Sequence, residues 1–162
     1  MLRFNRVAGV LASVALVAAA ASGCSGGRNH AGGSGIVLNG AYVQVPASTG
    51  KATVGYLDIR NNGSTDSLVS VSTSVGGTVQ LRGPVAAHAS PVIMHTVTSI
   101  PIPSDSTTQL IPNSYHLLIS GTGPMHDGKD ISLTLRFAHG GSMTIYALVT
   151  NPQNGGSSYF LN

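Results

Sequence analysis

Apolar and polar residues alternate most regularly near the end of the chain. Ile131, Leu133, Leu135 and Phe137 are separated by Ser132, Thr134 and Arg136. Met143, Ile145, Ala147 and Val149 are separated by Thr144, Tyr146 and Leu148. A period of two puts one set on a buried face and the other in water, so both runs predict strands. Residues 138–142 (Ala-His-Gly-Gly-Ser) form the hairpin between them. Further strand patterns occupy 36–45, 52–60, 68–75, 78–81, 92–97, 107–111 and 115–120, with a break expected in the first near Asn39-Gly40. In the second, Leu57 and Ile59 share one face and Tyr56 and Asp58 the other. Asn-Asn-Gly-Ser at 61–64 is a turn signal. No segment after residue 23 has a helical period of useful length. The expected fold class is all-β: a Greek-key β-sandwich of about eight or nine strands over residues 36–150. Residues 151–162 form a polar, Gly-rich tail that ends in Tyr159, Phe160 and Leu161.

The start of the chain follows a different logic. Arg3 and Arg6 precede an apolar run, Val7 to Ala21, which closes on Ser22-Gly23-Cys24. A positive start, a short apolar stretch and small residues at its end are the layout of a secretory signal. The run falls short of the about 20 residues a transmembrane helix needs. With a cysteine at the cut site, the segment resembles a bacterial lipoprotein signal, in which Cys24 becomes the lipidated first residue. The expected organisation is a signal over 1–23, a flexible Gly/Ser-rich tether with lipidated Cys24 over 24–35, the sandwich over 36–150, and the tail. One acyl chain holds a protein marginally and two or more hold it stably. The expected location is therefore the extracytoplasmic face of a cell membrane, with the lipid anchor as the membrane contact.

Composition narrows the chemistry. Only 8% of residues are charged, Glu and Trp are absent, and Lys occurs only at Lys51 and Lys129. An enzyme with a Glu acid or base is excluded. No Gly-rich phosphate loop with its Lys and no His-Glu-x-x-His pattern occurs, so the reading is not an enzyme. Losing the leader removes Arg3 and Arg6 and leaves the charge nearly balanced. The clustered basic patch that nucleic-acid binding needs is missing. Cys24 is the only cysteine, so no disulfide forms within the chain.

Soft and borderline ligands gather between Gly83 and Asp127: His88, Met94, His95, His116, Met125 and His126. Thioether sulfur with imidazole nitrogen suits Cu(I) where thiolates would oxidise. Met94 and His95 face opposite ways in a regular strand, so only one of them points easily at a shared site. His116 and position 118 share a face.

Several blocks resemble the extracytoplasmic copper chaperones called PCu(A)C. They are Ala52-Thr-Val-Gly-Tyr-Leu-Asp-Ile-Arg-Asn-Asn-Gly, Asp66-Ser-Leu-Val-Ser-Val, Val92-Ile-Met-His-Thr-Val-Thr-Ser-Ile-Pro-Ile-Pro, Tyr115-His-Leu-Leu-Ile and Gly128-Lys-Asp-Ile-Ser-Leu-Thr-Leu-Arg-Phe. The resemblance covers roughly residues 50–150. It implies a cupredoxin-like sandwich that binds Cu(I) and delivers it to a copper-accepting oxidase or its assembly factor. It also implies a ligand set of a His, a Met, and then a His-x-Met pair. Twenty-one residues lie between Met94 and His116, the spacing of the family's Met and second His. Arg82 stands at the first His and Leu118 at the last Met. Met94 and His116 are the matched ligands, and His95 is the candidate substitute, with His88 or Met125-His126 behind it. The competing reading is a sandwich without metal that serves as an interaction module at the cell envelope.

Overall fold

The structure, a computed structural model, describes residues 35–86 and 90–152. The signal, Cys24, His88 and the aromatic end of the tail lie outside these residues. Among the described residues there is no α-helix. Ten strands are present: β1 (Ile36–Gln44), β2 (Thr53–Asn61), β3 (Asp66–Thr73), β4 (Thr78–Pro84), β5 (Met94–Thr96), β6 (Ile100–Ile102), β7 (Ser106–Leu110), β8 (His116–Ser120), β9 (Asp130–Phe137) and β10 (Ser142–Thr150).

The strands form one continuous sheet in the order β5-β4-β8-β2-β1-β10-β9-β3-β6, with β7 beside β2. The sheet curls, so that β3 comes against β4 and β6 against β7 and β2. The two layers of the sandwich are therefore halves of a single hydrogen-bonded sheet. β1 joins them, antiparallel to β2 and parallel to β10. The break expected at Asn39-Gly40 is a bulge within β1: the register with β2 shifts between Asn39 and Tyr42, and the strand continues.

The core fills the space between the halves. Ile59, Leu68, Ile100, Ile102, Leu117, Ile119, Leu133 and Leu135 are wholly buried. Each such side chain contributes about 1.5–3 kcal/mol relative to exposure. Ten strands stand where eight or nine were expected. β6 is Ile-Pro-Ile, and the proline spoils the strand signal. The sheet tolerates it because β6 is an edge strand that pairs only with β3, where Pro101 sits opposite Ser67.

Two buried polar residues tie the loops at one end. Asn61 is fully buried; its amide donates to the carbonyls of Ser64, Ile102 and Pro103, and its Oδ1 accepts from Gly63 N–H. Asp66 accepts from the backbone N–H groups of Ser67, His139 and Gly140 and meets His139 Nδ1 at 3.2 Å. Burial by itself would raise the Asp66 carboxyl; the hydrogen bonds outweigh it and hold the group below its ordinary value. This network joins β3 to the β9–β10 hairpin.

The chain enters at the same end. Gly35 has a φ of 67°, and its carbonyl accepts from Asn62 N–H at 2.8 Å. A Cβ on Gly35 would lie 2.5 Å from Gly63 N, so only glycine fits where residue 35 crosses the β2–β3 turn.

Candidate functional site

The register decides which candidate ligands share a face. Arg82 pairs directly with His116 on β8 and with Thr96 on β5. Pro84 pairs with Met94, and Gln80 with Leu118. Opposite residues of an antiparallel pair point the same way, and so do alternate residues along a strand. Arg82, Met94, His116 and Leu118 therefore occupy one outer face of the β5-β4-β8 sheet. All four positions at which the resemblance places ligands come together across three adjacent strands. Met94, His116, Leu118 and Arg82 are each half-buried.

His95 pairs with Gly83, so it lies on the opposite face from Met94, and it is exposed. Met125 is buried in the core and His126 is exposed, in the loop after β8 at the far end of the sandwich. The structure does not bring these residues to the face that carries Met94 and His116. Among the described residues no cluster of three His, Cys, Asp or Glu side chains forms.

Local structure orients His116. β2 changes partners along one edge: residues 53–55 pair with β8 and residues 57–61 with β7. His116 stands at this seam, the first residue after the loop that joins β7 to β8. The loop is closed by Ile111 N–H on the Tyr115 carbonyl and by Ser114 N–H on the Ile111 carbonyl, with Asn113 at a φ of 63°. His116 Nδ1 lies 3.0 Å from the Ser114 carbonyl oxygen. A carbonyl only accepts, so Nδ1 carries the hydrogen. In the neutral ring, Nε2 is then left with its lone pair, the arrangement that metal-ligating histidines adopt.

An aromatic wall backs the ring. Tyr56 lies 6.3 Å from His116 and Tyr42 lies 5.1 Å from Tyr56, centroid to centroid. Tyr56 is buried although it is on the outer face, opposite to Leu57 and Ile59. Burial pushes the phenols of both tyrosines up, and Tyr42 adds to the effect on Tyr56. On the inner face Tyr115 covers Gly83, where a Cβ would meet its ring at 2.8 Å.

Arg82 is the departure from a soft-ligand face. Its guanidinium donates to the Met94 carbonyl at 2.8 Å and to Thr96 Oγ1 at 2.9 Å. Both acceptors are on β5, so the charge is drawn away from β8 and His116 and held over the edge strand. Among the described residues Arg82 makes no ion pair.

Residues 36–149 match the family model "Putative lipoprotein LpqE-like". A protein of Leifsonia xyli subsp. xyli named "Putative lipoprotein Lxx21020" is 28% identical over 127 residues, which are 77% of this chain and 75% of that protein. Among solved structures, the copper-bound PCuAC domain from PmoF2 aligns at a TM-score of 0.60 with 21% identity, over 73% of this chain and 94% of that one. The apo PCuAC domain from PmoF1 aligns at 0.63 with 22% identity, over 73% and 95%. Cu(I)-DR1885 from Deinococcus radiodurans aligns at 0.58 with 24% identity, over 71% and 77%. At these identities the likeness is one of fold, and it bears out the expected PCu(A)C-type, cupredoxin-like sandwich. The chain belongs to the LpqE-like lipoprotein family, on the scaffold of the PCuAC domains.

Proposed function

We propose that this protein is an envelope lipoprotein that binds Cu(I) through Met94 and His116 and passes it to an extracytoplasmic copper enzyme. One observation carries the reading: the register places Met94 and His116 on a single face, with His116 Nδ1 held by the Ser114 carbonyl and Nε2 free to ligate. A thioether and an imidazole are a soft donor pair suited to Cu(I). Two ligands in place of four give a weaker, more exchangeable site, which suits cargo that must be released. Copper is the cargo here, and no catalytic step is assigned to the chain. Lipidation at Cys24 is the proposed anchor, and a copper-accepting oxidase or its assembly factor the proposed recipient.

The test is competition for Cu(I) against a chromophoric chelator under reducing conditions. Stoichiometric binding is expected, and Met94→Ala/His116→Ala together should abolish it. Unchanged affinity in the double variant overturns the reading. A second reading, the interaction module without metal, is favoured by Arg82: a guanidinium with no ion-pair partner among the described residues occupies a position where the resemblance to the copper chaperones places a ligand. It predicts no Cu(I) binding and an envelope complex that survives copper chelation.

A further inference from the structure

Exposed apolar residues are distributed unevenly along the sandwich. The large ones are Val37, Val85, Ile93, Ile111 and Tyr146. Ile111 directly follows β7, and Tyr146 lies midway along β10. Val37, Val85 and Ile93 lie toward the end where Gly35 enters: Val37 is next to Ile36, which pairs with Asn61, and β4 runs from Thr78 toward that end. Among the described residues, none of the five stands at the opposite end, which carries Lys51, Asp127 and Lys129.

Val85 and Ile93 are a cross-strand pair. Val85 N–H donates to the Ile93 carbonyl at 2.8 Å, continuing the β4–β5 ladder past Pro84 and Met94. They stand on the inner face, in line with Leu81 and Gly83, which are buried. The apolar face of the hairpin thus overruns the core that covers it. Val85 is 61% exposed and Ile93 is 64% exposed.

The chain preceding the sandwich joins it at the end that carries this pair. Cys24 lies eleven positions before Gly35, a stretch that spans at most about 40 Å when fully extended. Gly35 is fastened to Asn62 at the end that carries the pair. A chain anchored in lipid at Cys24 keeps this end within about 40 Å of the bilayer, and strands of nine residues let the other end lie about 30 Å farther away.

We propose that Val85 and Ile93 rest on the lipid surface in which the chain is anchored, so that the tether and the β4–β5 hairpin together fix the sandwich with this end toward the bilayer. The inference rests on the proposed lipidation of Cys24. It also locates the Met94/His116 face: Arg82 is three residues from Val85, about 10 Å along the strand. The acceptor is therefore met close to the membrane plane, by a face that stands upright on it.

The acylated mature protein tests this in vesicles of phosphatidylethanolamine and phosphatidylglycerol. With Cys24 blocked by its lipid, a cysteine introduced as Ile93→Cys or, separately, Lys129→Cys is the only free thiol for an environment-sensitive fluorophore. Blue-shifted emission at 93, with quenching by headgroup-proximal nitroxide lipids and neither effect at 129, is the expected result. A Val85→Cys label should behave as the label at 93. Equal water exposure at 93 and 129 overturns the inference while the anchor stands. Protection of 93 in native membranes but not in vesicles also overturns it, in favour of a protein partner. A mature chain whose mass shows no acyl group at Cys24 removes the anchor and the inference with it.

Discussion

Replacing Arg82 by Gln should strengthen Cu(I) binding while weakening the fold. The guanidinium lies over β5 and His116 lies on β8, two strand spacings or about 10 Å apart. A copper ion between Met94 and His116 is then within about 8 Å of the positive charge. At that distance, with an effective dielectric between roughly 20 and 80, the repulsion is about 0.5–2 kcal/mol. Its removal corresponds to about 2- to 30-fold in Kd. Gln keeps part of the length and a donor but cannot bridge both the Met94 carbonyl and Thr96 Oγ1 as Arg does. Losing one such half-exposed bond costs about 1 kcal/mol, a fall of about 3–6 °C in Tm for a domain of this size. The two effects have opposite signs, so general loosening of the site cannot imitate the result. Chelator competition at low and high salt reads the first effect and thermal denaturation the second. The gain in affinity should shrink as salt rises. An Arg82→Gln protein that binds Cu(I) no more tightly at low salt refutes the electrostatic argument.

Other perturbations test the frame that holds the site. Arg82→His with Leu118→Met, which rebuilds the four-ligand pattern, should bind Cu(I) more tightly than Arg82→Gln in the same competition assay. Gly83→Ala puts a Cβ 2.8 Å from the Tyr115 ring and 3.1 Å from Val97 Cγ1. It should cost about 1–3 kcal/mol and shift the NMR signals of His116, the residue after Tyr115. Asp66→Asn should destabilise the protein by about 2–4 kcal/mol at neutral pH, because three N–H donors lose an ionised acceptor. The folded-state carboxyl lies below its ordinary value of 3.8. Its contribution is therefore present above about pH 3.8 and lost as pH falls through the lowered folded value. The gap between wild type and variant in urea titrations should narrow across that acid window.

Much of this architecture can be read from alternation. β9 and β10 are as regular in the fold as their pattern, and Leu57 and Ile59 face the core as their spacing requires. Alternation also sets His95 apart from Met94. Three features depend on partners distant in sequence and leave no local trace. β6 hides behind Pro101, because whether a proline is tolerated depends on which strands flank it. Asp66 and His139 are 73 residues apart and meet only because β3 pairs with β9. The direction of Arg82 was open in the sequence: the residue type warns against a cation, but only the β4–β5 register reveals acceptors on the side away from His116. The resemblance to the copper chaperones identified the positions of the face, and the pairing of three strands makes it a single surface.

The seam along β2 has a consequence for how such proteins diversify. β7 and β8 use separate stretches of the same strand edge, and the loop between them makes its closing hydrogen bonds within itself. Residues can be added or removed there without sliding either ladder, since register on both sides is fixed by β2. Lengthening a surface loop costs little, about 0.6 kcal/mol per doubling. The histidine at the seam keeps its place opposite Arg82 in the β4–β8 ladder, while the loop whose Ser114 carbonyl holds its Nδ1 can change. Changes within residues 111–115 can therefore retune the orientation of the imidazole while the strands that frame it stay as they are.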